Sequence, residues 1–478
     1  MPETLNSAYT ESVIALVNSI DDKKVNSGSL YSDAKAFFST YEQEKKEFVR
    51  LKTQIDLLEQ EIASGKPSKE AQNRLFALTK KRDRLIDQQD AARHKRMDRV
   101  STVCLQLLSL SEGKNHSETL LRSAKFLGTL LLLSSGEGKQ LAEHHQQLKH
   151  AYKAVLSLRF LEELMYKGNI RHKFILTYWD AEQRFLLEDF VSADFNQAVV
   201  LPILLTTLFQ DIGMQHPEVV SLLMRDGNKD PFRILDIDER SEMLRLNYRY
   251  TLLYLTEGLG GQNYKGNSKA DRDDFVAVEK ERLRFQKSLL NDANTAKKDI
   301  GDIIKVPQIY TSIVLSTKPG YKRHDLPKAA VLVEQLAHKN NINQKLADAF
   351  VGLVGYFPQG YGVCYLPTGL VGNKSYEYAV VNQLKPINKY EPNCRIVSKN
   401  QIFISGGSNV QAAKHQNLHF GETRKKLAPI TQERLTEIMG SLAHEYDVDK
   451  ADRPVPSMWE PHDFFTNKGI QNLWPRVE

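Results

Sequence analysis

At 478 residues, with 41% apolar and 26% charged residues, the chain is long enough for two or three domains with well-buried cores, and its balance is that of a folded protein rather than a disordered one. A net charge of +6 is mild at this length, and Lys and Arg are dispersed apart from "RHKRMDR" at 93–99, which argues against a nucleic-acid-binding protein. The greasiest run, "FLGTLLLLSS" at 126–135, falls short of the roughly 18–20 residues that cross a bilayer, and the N-terminus carries an acidic residue where a secretory signal needs positive charge, so a cytoplasmic protein without a membrane span is expected.

Between about 33 and 63, Phe48, Leu51, Ile55, Leu58 and Ile62 recur at intervals of 3, 4, 3 and 4, the seam of a helix that packs on another helix. The seam stops at "SGKPSKE", where Gly65 and Pro67 break the helix and Ser68 can cap the next. A second arm marked by Leu75, Leu78 and Leu85 follows, which predicts an antiparallel helical hairpin over 33–99. Such a hairpin either packs on its own domain or serves as a dimerisation or docking arm, and the seam covers only about two heptads.

Residues 100–168 read as a helical bundle or connector, and helices continue through the aromatic-rich segments of 170–256. The Gly-rich break "GLGGQNYKGNSKADRDD" at 258–274 precedes a charged helix to about 299, and 326–354 close the helical part. From 356 the texture changes: "GVCYLP", "SYEYAVVNQL", "CRIVS" and "QIFISGG" are short β-branched or aromatic runs divided by Gly, Pro and Asn, a small antiparallel sheet. A last helix is expected at "TQERLTEIMGSLAHEY", 431–446. The three cysteines, Cys104, Cys364 and Cys394, stand far apart and form no CxxC, which excludes a zinc ribbon or a disulfide framework and predicts reduced thiols. No G-x-S-x-G elbow and no G-x-x-x-x-G-K-[ST] loop occurs.

The stretch "LPILLTTLFQDIGMQHPEVV" at 201–220 is an apolar helix ending in a polar corner, Gln210-Asp211-Ile212-Gly213. With "LDIDERSEMLRLNYRYTLLYL", "IKVPQIYTSIVLSTKPGYKRHDLPKAAVLVEQLA" and "LADAFVGLVGYFPQGYGVCYLPTG", in that order over roughly 170–400, it resembles the HD-GYP family of cyclic di-GMP phosphodiesterases. The resemblance implies a mainly α fold: residues 1–32 an N-terminal segment, the hairpin at 33–99, the bundle at 100–168, an all-helical HD-GYP-like domain at 169–355, and a small antiparallel β appendage with its tail at 356–478. It also implies that the metal site has degenerated. The family's His-Asp pair falls on Gln210 and Asp211, the lysine after Asp-Ile-Gly on Met214, the ligand histidine of the next helix on Asn247, and the last metal-binding aspartate on or near Tyr310. Trp179 and Asp180 occupy the neighbourhood of the upstream histidine, and the paired histidines and the Gly-Tyr-Pro segment have no counterpart.

An ion held for hydrolysis needs several converging imidazoles and carboxylates and one open position, so no metal or other cofactor is expected. Of the remaining polar residues, His144 and His145 point about 100° apart on a helix and read as a solvated face. His216 reads as a loop histidine before a helix starting at Pro217, and Asp238 as a helix-start anion. Lys318, Lys322 and Arg323, with His324, surround a turn suited to phosphate or an acidic partner, or simply a solvated basic turn. Arg245 and Arg249, with Tyr248 and Tyr250, are candidates for contacts to cyclic di-GMP. The reading is therefore a catalytically inactive interaction or sensing scaffold in bacterial signalling, with a protein partner or a second copy on the hairpin. One alternative is a phosphodiesterase whose divalent transition metal uses Asp211 and some of His172, Asp180, His216 or His324; another is a non-catalytic cyclic di-GMP receptor.

Overall fold

The seam at Phe48 to Ile62 becomes one long helix in the computed structural model, which describes residues 6–22, 28–65, 68–181, 183–185, 194–227, 230–261, 264, 266–295, 300–367, 376–427 and 455–475. Helix α1 (Ala8–Ile20) precedes the hairpin arms α2 (Leu30–Ser64) and α3 (Lys69–Ser111). Next come α4 (His116–Leu133), α5 (Gly138–Tyr166), α6 (Lys173–Tyr178), α7 (Leu201–Leu208), α8 (Pro217–Leu223), α9 (Ile237–Leu253) and α10 (Lys269–Asn294). Then α11 (Asp302–Val314), α12 (Lys328–His338) and α13 (Gln344–Val354) lead into the strands, and α14 (Gly421–Arg424) and α15 (His462–Phe465) follow them. The chain is mainly α with a small antiparallel sheet near its C-terminal end, as its patterning predicts. The helix expected at 431–446 lies outside the described residues.

Two compact units are formed, each discontinuous in sequence: Met1–Val17, Gln106–Leu208 and Asn291–Glu478 make the first, and Asn18–Leu105 and Phe209–Leu290 the second. In the second unit the hairpin is antiparallel. Asp33 pairs with Arg99, the Gln89 amide donates to Glu44 at 3.1 Å, and Lys81 meets Glu47 at 2.6 Å, so positions rise on one arm as they fall on the other. Ser29 and Ser68 accept hydrogen bonds from Ser32 and Ala71 as the N-terminal caps of the two arms. Leu51, Ile55 and Leu58 are buried in the seam, while Phe48, Ile62, Leu75, Leu78 and Leu85 are half-buried. The base of the hairpin packs on residues 209–290: Phe37 and Phe38 meet the Tyr254 ring at 5.5 and 5.7 Å, and Arg96 donates to the Gly258 carbonyl at 2.8 Å. Toward the tip, Leu57 and Phe76 remain 60% and 70% exposed, and the antiparallel register puts them at the same height.

The first unit is built around α5, which touches α4, α7, α11 and α13. A helix covered on every side buries whatever its sequence puts there, and α5 buries His145, Lys153, Arg159 and Glu162 along with Tyr152, Leu156 and Phe160. The strands β1 (Gly362–Tyr365), β2 (Glu377–Val381), β3 (Asn393–Ile396), β4 (Ser398–Lys399), β5 (Ile402–Phe403) and β6 (Asn409–Gln411) follow. A four-stranded antiparallel sheet has the order β1-β2-β3-β6, with Cys364 opposite Tyr378, Val380 opposite Arg395 and Cys394 opposite Val410. Strands β4 and β5 form a separate hairpin whose turn residues Asn400 and Gln401 both have positive φ, the geometry that suits the right-handed strand twist, and the Glu377 carboxylate accepts from both their amides. Strand β6, "NVQ", carries too little β-branched character to be read in advance. The tail completes this core: the Trp459 indole donates to the Ala379 carbonyl at 2.9 Å, and Phe464, Phe465, Leu473 and Trp474 pack with Cys364, Tyr378 and Val380. All three cysteines are free and buried.

Candidate functional site

The corner after α7 is closed by α9 of the second unit. The Gln210 carbonyl accepts from the Asn247 amide at 3.2 Å and from the Thr251 hydroxyl at 3.4 Å, and the Gly213 N–H donates to the same hydroxyl at 3.1 Å. Gly213 is required by this approach, because a Cβ there would stand 2.2 Å from the Asn247 carbonyl oxygen. The Gln210 side chain is buried, and half-exposed Asp211 leads into the short turn Ile212–Gln215 that also carries half-exposed Met214. Burial, with the negative charges of Asp211 and Asp21, holds the Tyr31 phenol far above its ordinary value, so Tyr31 is a neutral neighbour of the Asp211 charge.

His216 is engaged on both sides. Its Nδ1 accepts from the Glu218 N–H at 3.2 Å as the cap of α8, where Pro217 takes the first helical position as expected, and its ring stacks on Tyr250 at 3.3 Å with Phe38 edge-on at 5.2 Å. Burial lowers its pKa, and the Tyr250 hydroxyl donates to Glu218. At the start of α9, Asp236 and Glu239 form a reciprocal capping box, and Asp238 is a first-turn anion.

The other candidate residues fall into separate places. Arg245 and Arg249 are exposed on α9, with the Arg249 guanidinium 5.3 Å from the Tyr250 ring centre. Tyr310 belongs to the first unit, where it is fully buried with its ring 5.3 Å from Phe350 and its phenol pKa pushed up by burial. Lys318 and Lys322 are exposed beside a groove of about 560 Å³ along α11 and α12, lined also by Ile313, Tyr321, Lys328 and Val331. Arg323 does not join them: its guanidinium donates to the Ser134 carbonyl at 2.6 Å and pairs with Glu460 at 3.2 Å. His324 meets Asp325 at 3.4 Å and stacks on His419 at 5.3 Å. Among the described residues no group of three or more His, Cys, Asp or Glu side chains is arranged to hold a metal ion.

No family model, no curated protein and no solved structure matches this chain.

One reading is corrected. His144 and His145 diverge as expected, but His145 is not on a solvated face: α5 is surrounded, so the ring is fully buried, bonded through Nδ1 to the Ser316 carbonyl at 2.7 Å and edge-on to Tyr321 at 4.8 Å. Burial is the main cause that lowers its pKa to about 4, and it does the same for His116 and His419. All three sit in the first unit and are neutral when folded. An unfolded histidine takes its proton near pH 6.5, so between about 6.5 and 4 the unfolded chain binds more protons than the folded one and stability rises with pH. The contribution is complete above about 6.5 and is lost as pH falls toward 4. The melting temperature should therefore drop between about pH 7 and 5, before most carboxylates titrate; a flat profile there would refute this linkage.

The sequence reading also missed a buried charge quartet in the first unit. Arg159 on α5 contacts Glu112 at 2.5 Å and Glu162 at 2.8 Å; Arg184, in the turn Gln183–Phe185, contacts the same two at 2.6 and 2.7 Å. Ser123 and Asn196 add hydrogen bonds at 3.1 and 3.3 Å, the latter from the π-helical turn Asn196–Val200 that leads into α7. Two arginines face two carboxyls, which respond in opposite directions: burial, helped by the Glu112 charge, outweighs the arginines at Glu162 and holds its carboxyl above the usual range. Burial alone would raise the Glu112 carboxyl, but Arg184 and Arg159 outweigh it and hold Glu112 below the usual range.

Proposed function

We propose that this chain is a catalytically inactive HD-GYP-like protein that acts as an interaction or sensing scaffold in cyclic di-GMP-related bacterial signalling. The observation that carries the reading is the closure of the Gln210–Asp211 corner on α9. A hydrolytic metal centre needs donors that converge and leave a position open. Here the Asn247 amide bonds the corner's backbone, Gly213 admits the α9 backbone into contact, and His216 is engaged by a helix cap and an aromatic stack. Leu57 and Phe76, large and exposed at one level of the hairpin, support a protein partner or a second copy as the occupant of its tip.

A rearranged phosphodiesterase would have to assist Asp211 with some of His172, Asp180, His216 or His324, of which His216 and His324 would first leave the contacts above. A cyclic di-GMP receptor would draw on Arg245 and Arg249, and on the face of Tyr250 only after displacing His216. Metal analysis of the purified protein, together with a cyclic di-GMP titration, separates the three. The scaffold reading expects neither bound transition metal nor saturable nucleotide binding. Near-stoichiometric metal overturns it, and tight nucleotide binding that is lost in Arg245→Ala and Arg249→Ala would move the assignment to a receptor.

A further inference from the structure

Helix α4 turns Leu121, Lys125 and Gly128, spaced i, i+4 and i+7, along one face. Leu121 and Lys125 open onto a cleft of about 480 Å³ whose other walls are Tyr9 of α1, Ser109 and Leu110 at the end of α3, Arg122, and Asn472, Trp474 and Pro475 of the tail. Gly128 fixes the far wall, because a Cβ there would fall 2.0 Å from the Trp474 ring. The near wall is fixed by Tyr9, whose hydroxyl donates to the Leu110 carbonyl at 3.0 Å. The volume lies within the roughly 300–1,000 Å³ of small-molecule sites.

The charge of the lining is one-sided. Among the described residues it contains two cations, Arg122 and Lys125, and no carboxylate. Arg122 is balanced by Glu118 at 2.7 Å on the same helix. The half-buried Lys125 ammonium has instead the face of the Tyr9 ring, 3.8 Å from its centre. Burial, and then Arg122, lower its pKa, the sign of a cation short of compensating charge. A π face returns only part of what a desolvated ammonium loses, whereas one anionic oxygen would return more.

We propose that this cleft binds a small aromatic carboxylate, its single negative charge on Lys125 and its ring against Tyr9, Leu121 and Trp474. The single charge follows from the one unbalanced cation, and the flat apolar body from the walls. The site lies wholly in the first unit and does not depend on the reading of the Asp211 corner.

The test uses the whole protein titrated with 1-naphthoate and, in parallel, with the uncharged 1-naphthalenemethanol, read by calorimetry and by tryptophan fluorescence. The expected result is saturable one-to-one binding of naphthoate, at least about tenfold tighter than the alcohol, and a fall of at least about tenfold in Lys125→Met with no change for the alcohol. The retained alcohol binding shows that Lys125→Met is folded, and Leu121→Trp, which fills the cleft and keeps the charge, should abolish binding of both with an unchanged melting temperature. Equal affinity for the two probes, unchanged naphthoate binding in Lys125→Met, or no saturation with the wild-type chain would each overturn the proposal.

Discussion

Arg184→Met should destabilise the first unit by about 3–5 kcal/mol, measured by urea unfolding at neutral pH, because it strands one carboxylate charge among Glu112 and Glu162 with no water to take it. The removed guanidinium holds both carboxylates and Asn196, so α5, the stretch before α4 and the π-helical turn before α7 lose a common partner. Charge balance, rather than the number of hydrogen bonds, sets the size of the loss. Adding Glu162→Gln leaves Arg159 facing Glu112 alone and should therefore recover a large part of it, although two more hydrogen bonds have changed character. A loss under about 1 kcal/mol for Arg184→Met would mean that the cluster is hydrated and its charges are not tightly linked.

Gly213→Ala is the second large effect, and with Asp211→Asn it decides what the corner is for. The added Cβ meets the Asn247 carbonyl at 2.2 Å and the Thr251 N–H at 2.9 Å, which are backbone atoms of α9 and cannot rotate away, so the helix must shift. Overpacking of this kind typically costs about 1–3 kcal/mol. Asp211→Asn keeps the shape and removes a half-exposed charge, and should change stability by less than about 1 kcal/mol. A packing joint predicts that order of sensitivity. The opposite pattern, a stable Gly213→Ala beside an Asp211→Asn that loses a measurable phosphodiesterase activity, would return the corner to chemistry.

What could be read in advance was local. The intervals between Phe48 and Ile62, with Gly65 and Pro67 behind them, specify two arms and a turn within one stretch of chain. The alternation of β-branched runs and turn residues after 356 likewise announces strands, because each run carries its own pattern. The charge quartet carries no such signal: Arg159 and Glu162 stand three apart, as any surface ion pair does, while Glu112 is 47 residues from Arg159 and Glu162 is 22 from Arg184. His145 is similar, with a carbonyl partner 171 residues away. Periodicity finds the apolar face of a helix but does not report that α5 has neighbours on every side. At the corner, "Asp-Ile-Gly" was visible as a motif. The reason for its glycine was not, because it lies in the backbone of α9, 34 residues further on.

The interleaving of the two units has a consequence for the order in which the chain can be finished during synthesis. Everything the second unit needs has left the ribosome once residue 290 has emerged. The first unit must wait much longer: Gln471 accepts from the Ser7 N–H at 2.8 Å and from the Thr10 hydroxyl at 2.9 Å, and Trp474 closes on Gly128. Residues 106–208, which carry the quartet of Arg159, Arg184, Glu112 and Glu162, are thus made long before α11 and α13 arrive to cover α5. All four members of the quartet, with Ser123 and Asn196, lie within that stretch, so every partner of its charges is already present before the rest of the first unit is made. An error among those four residues would therefore be felt early, in the stretch that supplies all of their partners, and not only when the C-terminal third of the chain docks.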